Sequence, residues 1–282
     1  MPIPFTKMHG LGNDYVYIEL FTPREANWSE LARAVSDRHR GVGSDGLILV
    51  APPAAPGAHA RMIMFNADGS RAQMCGNGVR CVGKLVYERG WARQNPLLVE
   101  TDAGVLRLEL SIDGGDTVRA VRVDMGAPIL EPDRIPVRRA GGPVIDADFA
   151  FDPPLRVTCV SMGNPHAVFF CEQVDRIPLH EWGPRIEHDP MFPQRVNVHF
   201  VEVRSATHVR MRTWERGAGL TQACGTGAAA VCVAGVLTGR AQRALTVTLP
   251  GGDLQLAWDE AGGHVFKTGP AVEVFRGEWP SG

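Results

Sequence analysis

The stretch "MCGNGVRC" (residues 74–81) has a near copy much later in the chain, "ACGTGAAA" (223–230). Each sets a cysteine, a glycine, a small polar residue and a second glycine ahead of an apolar run. In the first run Val79, Val82 and Val86 fall on one helix face and Gly90 follows as a stop, so a helix is expected from about Gly76 to Arg89. A helix start carries unpaired N–H groups and a positive dipole end. Glycine there lets another group approach the backbone closely. The two frames read as two equivalent helix starts, each bearing a thiol.

The offsets around them support a duplication. Cys75 lies 62 residues after Asn13 of "GLGNDYV", and Cys224 lies 60 after Asn164 of "SMGNPHAV". Nine residues before the cysteines stand Asn66 and Glu215; two before them stand Gln73 and Gln222. "LLVETDAG" (97–104) falls opposite "LTVTLPGG" (245–252), and Gly46 opposite Asn197. Such a period is domain-sized and far longer than that of a solenoid repeat. The expected fold is therefore α/β (α+β), in two pseudo-symmetric halves, each with one cysteine at the start of its central helix. The expected division is residues 1–124, completed by the C-terminal strand 271–282, and residues 125–270.

The local patterns fit that order. "FTKMHGLGNDYVYIEL" reads as two strands around a glycine turn. "NWSELARAVSDRHR" reads as a helix capped by Asn27, with Glu30 at the capping-box position and Gly41 and Gly43 ending it. "GLILVAPP", "ARMIMFN", "LLVET" and "VLRLELSI" read as strands, and "DGGD" (113–116) as a hairpin turn. The Pro/Gly-rich stretch near 125–154 breaks the pattern and marks the crossover.

With 282 residues, 21% charged, and a net charge of −2, the chain can bury a large core and offers no strong field for nucleic acid. No secretory leader and no apolar run long enough for a membrane span is read from it, so the expectation is a cytoplasmic protein with reduced thiols. Cys81, Cys159, Cys171 and Cys232 lie in apolar settings and read as small buried hydrophobes. The spacing of Cys75 and Cys81 does not suit zinc, so no metal is expected.

Two thiols at helix starts suit one chemistry. A helix N-terminus binds anions and lowers the pKa of a thiol placed there. One thiolate can take a proton from carbon while the other thiol returns one on the far face, which inverts a stereocentre. The charge spreads into an adjacent carboxylate, and the helix ends stabilise it as an oxyanion hole does.

The segments "KMHGLGNDYV", "FNADGSRAQMCGNGVRC", "MGNPHAV", "RVNVHFVEV" and "WERGAGLTQACGTGA" resemble those of the diaminopimelate epimerase family over nearly the whole chain. The resemblance implies strands wrapped around a central helix in each half and an active site in the cleft between them. It implies interconversion of LL- and meso-diaminopimelate with no cofactor, a step feeding lysine and peptidoglycan precursors. It implies Cys75 and Cys224 as the acid/base residues, Cys75 donating and Cys224 accepting in the LL-to-meso direction. His166 and Glu215 are implied to assist catalysis. Substrate contacts are implied for Asn13, Asn66, Gly76, Asn77, Asn164, Asn197, Glu215, Arg216, Gly225 and Thr226. The implied partner is a small-molecule substrate, with no nucleic acid and no membrane, and the reading admits a homodimer. Two positions depart from the family. Gly46 stands where many members carry glutamine, and Leu220 where an acidic residue is common.

Two other readings compete. One is a two-cysteine racemase of proline or hydroxyproline; the asparagines and the Glu215–Arg216 pair favour a substrate with a distant second amino-acid end. The other is a zinc- or redox-sensing protein. For the epimerase, joining the two thiols as a disulfide is expected to inactivate, and a reductant to restore.

Overall fold

In the computed structural model, which describes residues 2–72 and 75–280, the N-terminal stretch is buried in continuous runs, Phe5–Met8 and Tyr15–Ile18. Strands β1 (Ile3–Gly10) and β2 (Asn13–Glu19) pair antiparallel with Met8 opposite Tyr15. Helix α1 (Trp28–Ser36) is capped by Asn27, whose side-chain oxygen accepts the Glu30 N–H at 3.3 Å. It ends at Ser36, before the expected stop at Gly41 and Gly43. Asp37 breaks it by taking the N–H groups of His39 and Arg40 on its carboxylate, at 2.8 and 2.9 Å, which offers the backbone an alternative to helix. Gly43, at φ 76°, then returns its N–H to the Val35 carbonyl.

Strands β3 (Gly46–Ala51), β4 (Ala60–Asn66) and β5 (Arg71–Ala72) lead to helix α2 (Gly78–Glu88). Strands β6 (Leu97–Thr101), β7 (Gly104–Ile112) and β8 (Val118–Asp124) follow. Helix α2 starts two residues later than expected, but the Cys75 carbonyl already accepts the Val79 N–H at 2.9 Å. Val79, Val82 and Val86 are wholly buried along it, each side chain stabilising by about 1.5–3 kcal/mol.

The second series begins with β9 (Ala147–Phe149), β10 (Leu155–Ser161), β11 (Pro165–Cys171) and helix α3 (Leu179–Glu187). It continues with β12 (Asn197–Ser205), β13 (His208–Glu215), β14 (Gly219–Thr221) and helix α4 (Gly225–Leu237). Strands β15 (Ala244–Leu249), β16 (Gly252–Trp258) and β17 (Val265–Gly269) complete it. The last strand is β18 (Val272–Trp279). Helix α4 is apolar on every side and, apart from Thr226, buried from Gly225 to Gly235, as a core helix must be.

The chain forms two compact units, Met1–Val123 with Thr268–Gly282, and Asp124–Lys267. Strand β18 belongs to the first, antiparallel to β1. The two units share one topology. From β1 to β7 the successive pairings are antiparallel, parallel, antiparallel, antiparallel, parallel and antiparallel. From β10 to β16 the same senses recur in the same order. Register agrees too. Val16 pairs with Leu47 as Ala167 pairs with Val198, and Met64 with Ala72 as Thr213 with Thr221. The protein is a mixed α and β fold of two topologically equivalent halves. Gln73, part of the offset argument, lies outside the described residues.

Candidate active site

In the first unit the half-buried thiol of Cys75 receives the Gly78 N–H at 3.3 Å and faces Asn13 Oδ1 at 3.5 Å. Asn13 is held by Asp45, whose Oδ2 takes its amide at 2.6 Å. Asp45 and Asp14 are both bridged by Arg38, and Lys7 joins Asp14. Burial pushes the Asp14 carboxyl up, but the bonds from Arg38 and Lys7 outweigh it and hold it below its usual range. Asn77 donates to Asn13 Oδ1 at 3.4 Å and accepts from Arg80 Nη1 at 3.0 Å. Asn66 places its amide on the Ser70 hydroxyl at 3.0 Å.

Two neighbours of Cys75 were not expected. The Tyr15 hydroxyl hydrogen-bonds its thiol, and burial, then the charge of Cys75, keeps that phenol neutral. Arg80 is wholly buried, with Nη1 on the Gly76 carbonyl at 3.2 Å as well and Nε on the Pro270 carbonyl at 3.1 Å. An arginine between Val79 and Cys81, inside an apolar helix, is the sequence signal for it. Its counterpart on α4 is Ala229.

In the second unit Cys224 caps α4. Its carbonyl accepts the Ala228 N–H at 2.9 Å, and its sulfur takes the Gly227 N–H and lies 3.8 Å from the Thr226 hydroxyl. The expected lowering of its pKa is not found. Burial, followed by the Glu215 carboxylate, pushes the thiol well up, and the Gly227 N–H and Thr226 hydroxyl do not offset them. Glu215 is also fixed by the Thr221 hydroxyl at 2.7 Å. Asn197 spans the Pro165 carbonyl, 2.8 Å from its amide, and the Arg216 N–H, 3.0 Å from its oxygen. Exposed Arg216 spends Nη1 on the Gln194 carbonyl at 3.0 Å and, among the described residues, pairs with no carboxylate.

Asn164 and His166 join a buried chain. His166 Nε2 lies 2.9 Å from Asn164 Oδ1, and His166 Nδ1 lies 2.9 Å from His199 Nε2. His199 Nδ1 lies 3.0 Å from Thr213 Oγ1. Burial holds both imidazoles neutral, His199 down at about 3 and His166 well below the usual range, with His199 and Arg216 adding to the shift on His166. His199 and Thr213 escaped the sequence reading. The period-2 rule could have found His199, two residues after Asn197 on the same strand face.

Gly46 pairs with Asn66, and a Cβ there would sit 2.2 Å from the Phe65 carbonyl oxygen. The neighbouring backbone thus leaves no room for a side chain at Gly46. Leu220 is half exposed, and nothing in the structure explains its departure. Among the described residues no three His, Cys, Asp or Glu side chains gather as a metal site, and no helix is long and apolar enough to cross a membrane.

Comparison with solved structures shows the fold. A phenazine biosynthesis protein of the PhzF family from Bacillus anthracis superposes with a TM-score of 0.71, at 17% identity and 100% coverage of both chains. A hydroxyproline epimerase from Agrobacterium vitis gives 0.69 at 17% identity, over 99% of this chain and 92% of that one. Sequence likeness reaches further. The diaminopimelate epimerase of Acetivibrio thermocellus is 54% identical over 97% of each chain. That of Moorella thermoacetica is 52% identical, over 98% of this chain and 99% of its own length. The diaminopimelate epimerase family model matches residues 5–131 and 158–274. With both its cysteine frames inside the matched segments, the chain is an isomerase and belongs to the diaminopimelate epimerase family.

Proposed function

We propose that the chain interconverts LL-2,6-diaminopimelate and meso-2,6-diaminopimelate without a cofactor, Cys75 and Cys224 serving one α-carbon as base and acid. One observation carries this reading. The two cysteines hold the same place in two copies of one topology, each with its carbonyl on the fourth N–H ahead and its sulfur on the third.

The step is a proton exchange. A thiolate takes the α-proton, the electron pair passes toward the α-carboxylate, and the opposite thiol returns a proton to carbon. The N–H groups at the helix starts oppose the growing negative charge. Arg216 grips a carboxylate through its uncommitted N–H groups, in two parallel bonds. Asn13, Asn66, Asn77, Asn164 and Asn197 share the remaining polar ends of the substrate with Gly76, Gly225 and Thr226. Glu215 tunes Cys224, and His166, with both ring nitrogens committed, positions Asn164.

In the free protein the proton stays on Cys224. Burial and Glu215 keep that thiol neutral, so it is ready to donate, which serves meso-to-LL turnover. For the LL-to-meso direction Cys224 must first ionise. A substrate ammonium beside Glu215 removes that carboxylate's share of the upward shift, the smaller part beside burial. The product of that direction feeds lysine and peptidoglycan precursors.

Incubation of the reduced protein with LL-diaminopimelate in deuterated water is the test. Deuterium is expected at the α-carbon together with a mixture of stereoisomers, and proline is expected to go unchanged. Cys75→Ala and Cys224→Ala should each lower epimerisation by about 10²–10⁴-fold, the usual span of a positioned acid or base. Absence of both exchange and isomerisation in the native protein overturns the proposal.

A further inference from the structure

Asn13 and Asn164 hold equivalent places, yet their amides are turned opposite ways. Asn13 gives its Nδ2 to Asp45 and presents Oδ1 to the Cys75 thiol. Val196 stands where Asp45 would be in the second unit, and its side chain can accept nothing. There Asn164 instead ends the chain that runs from Thr213 through His199 and His166.

A neutral imidazole has one donor nitrogen and one acceptor nitrogen. The chain therefore runs one way or the other throughout, and Thr213 decides which. It is 2% exposed, and among the described residues its hydroxyl has no partner except His199 Nδ1. A buried hydroxyl with no other acceptor gives its proton there, because leaving it unpaired forfeits its hydration without return. His199 then carries its proton on Nε2 and donates to His166 Nδ1. His166 carries its proton on Nε2 and donates to Asn164 Oδ1. The Asn164 oxygen is thereby committed. Its Nδ2, which has no partner among the described residues, is left as a donor.

We propose that Thr213 and His199 are positioning residues that fix the Asn164 amide as a hydrogen-bond donor toward substrate, the reverse of Asn13. The group it selects is an acceptor, a carboxylate oxygen and not an ammonium. This rests on the reading in which Asn164 binds diaminopimelate. One fold thus reads two chemically different substrate ends with one residue type.

Long-range nitrogen NMR of the unliganded full chain shows which ring nitrogen carries each proton. Nε2–H is expected on both His166 and His199, and a proton on Nδ1 of either ring overturns the proposal. That measurement needs neither a variant nor substrate, so it stands even where a substitution prevents folding. Kinetics supply the second arm. Thr213→Val should raise KM for diaminopimelate roughly fivefold, the loss of about one neutral hydrogen bond, with kcat within about twofold. Thr213→Ser should restore both. An unchanged KM in Thr213→Val overturns the link from chain to substrate. An unchanged KM in Asn164→Ala, with both protons on Nε2, instead overturns the reading that Asn164 binds substrate.

Discussion

Gly78 and Gly227 show how alike residues come to carry unlike constraints. Each is the third residue after its cysteine, and each lends its N–H to the thiol. A Cβ on Gly78 would meet Ile48 Cδ1 at 2.6 Å, the free end of a flexible side chain. A Cβ on Gly227 would meet His199 Cε1 at 2.4 Å and Cys224 Sγ at 3.0 Å. The imidazole is pinned at both nitrogens and cannot turn aside. Gly227→Ala should therefore lower stability by about 1–3 kcal/mol through overpacking. Gly78→Ala should stay within about 1 kcal/mol, since Ile48 can move and alanine favours the helix. Urea titration of the two variants checks the order, and equal losses would refute it. At this scale glycine frames mark the thiols and repeat offsets mark Asn13 and Asn164, while the other asparagines entered through the family resemblance. The sequence did not reveal His199 or Thr213. Each is a single polar residue on an inward strand face, and its worth appears only when distant strands bring the partners together.

Elements were more legible than their ends. The cap at Asn27 follows from its residue type, α2 from a 3.6-residue pattern, and α4 from the glycine frame that opens it and the unbroken apolar run behind. The early stop of α1 does not, because Asp37 wins the backbone locally where the glycines were the more conspicuous signal. The start of α2 was misplaced by two residues for a similar reason. The glycine frame marks the cysteine whose carbonyl takes the first helical bond, and the regular helix begins only at Gly78. The cap itself can be measured. Asn27→Ala removes the one side-chain oxygen that takes the Glu30 N–H. It should cost about 1 kcal/mol of stability, read as a lower midpoint in chemical denaturation with an unchanged slope.

Across the whole molecule the buried ionisable groups set a pH range of stability. His166 and His199 have folded pKa values below the ordinary imidazole value. Their contribution is complete above about pH 6.5 and is lost as pH falls, through a window reaching about 3 for His199. The buried thiols work in the other sense. Cys81 is pushed up to about 11, and Cys159 and Cys232 to about 12, chiefly by burial. Their contribution is complete below about pH 8.5, where the unfolded thiol still keeps its proton, and is lost as pH rises beyond it. The melting temperature should therefore hold a plateau between about pH 6.5 and 8.5 and fall on both sides. A stability still rising at about pH 10 would contradict the alkaline limb.

The placement of β18 has a consequence for how the chain is made. The second unit is one unbroken run, Asp124–Lys267, while the first must wait for Val272–Trp279 to cover β1. Domains ordinarily fold in the order they leave the ribosome, the N-terminal one first. Here the half synthesised first is completed last. Until Val272–Trp279 has been translated, β1 offers an open edge to any nascent chain nearby, and the second unit can already be whole.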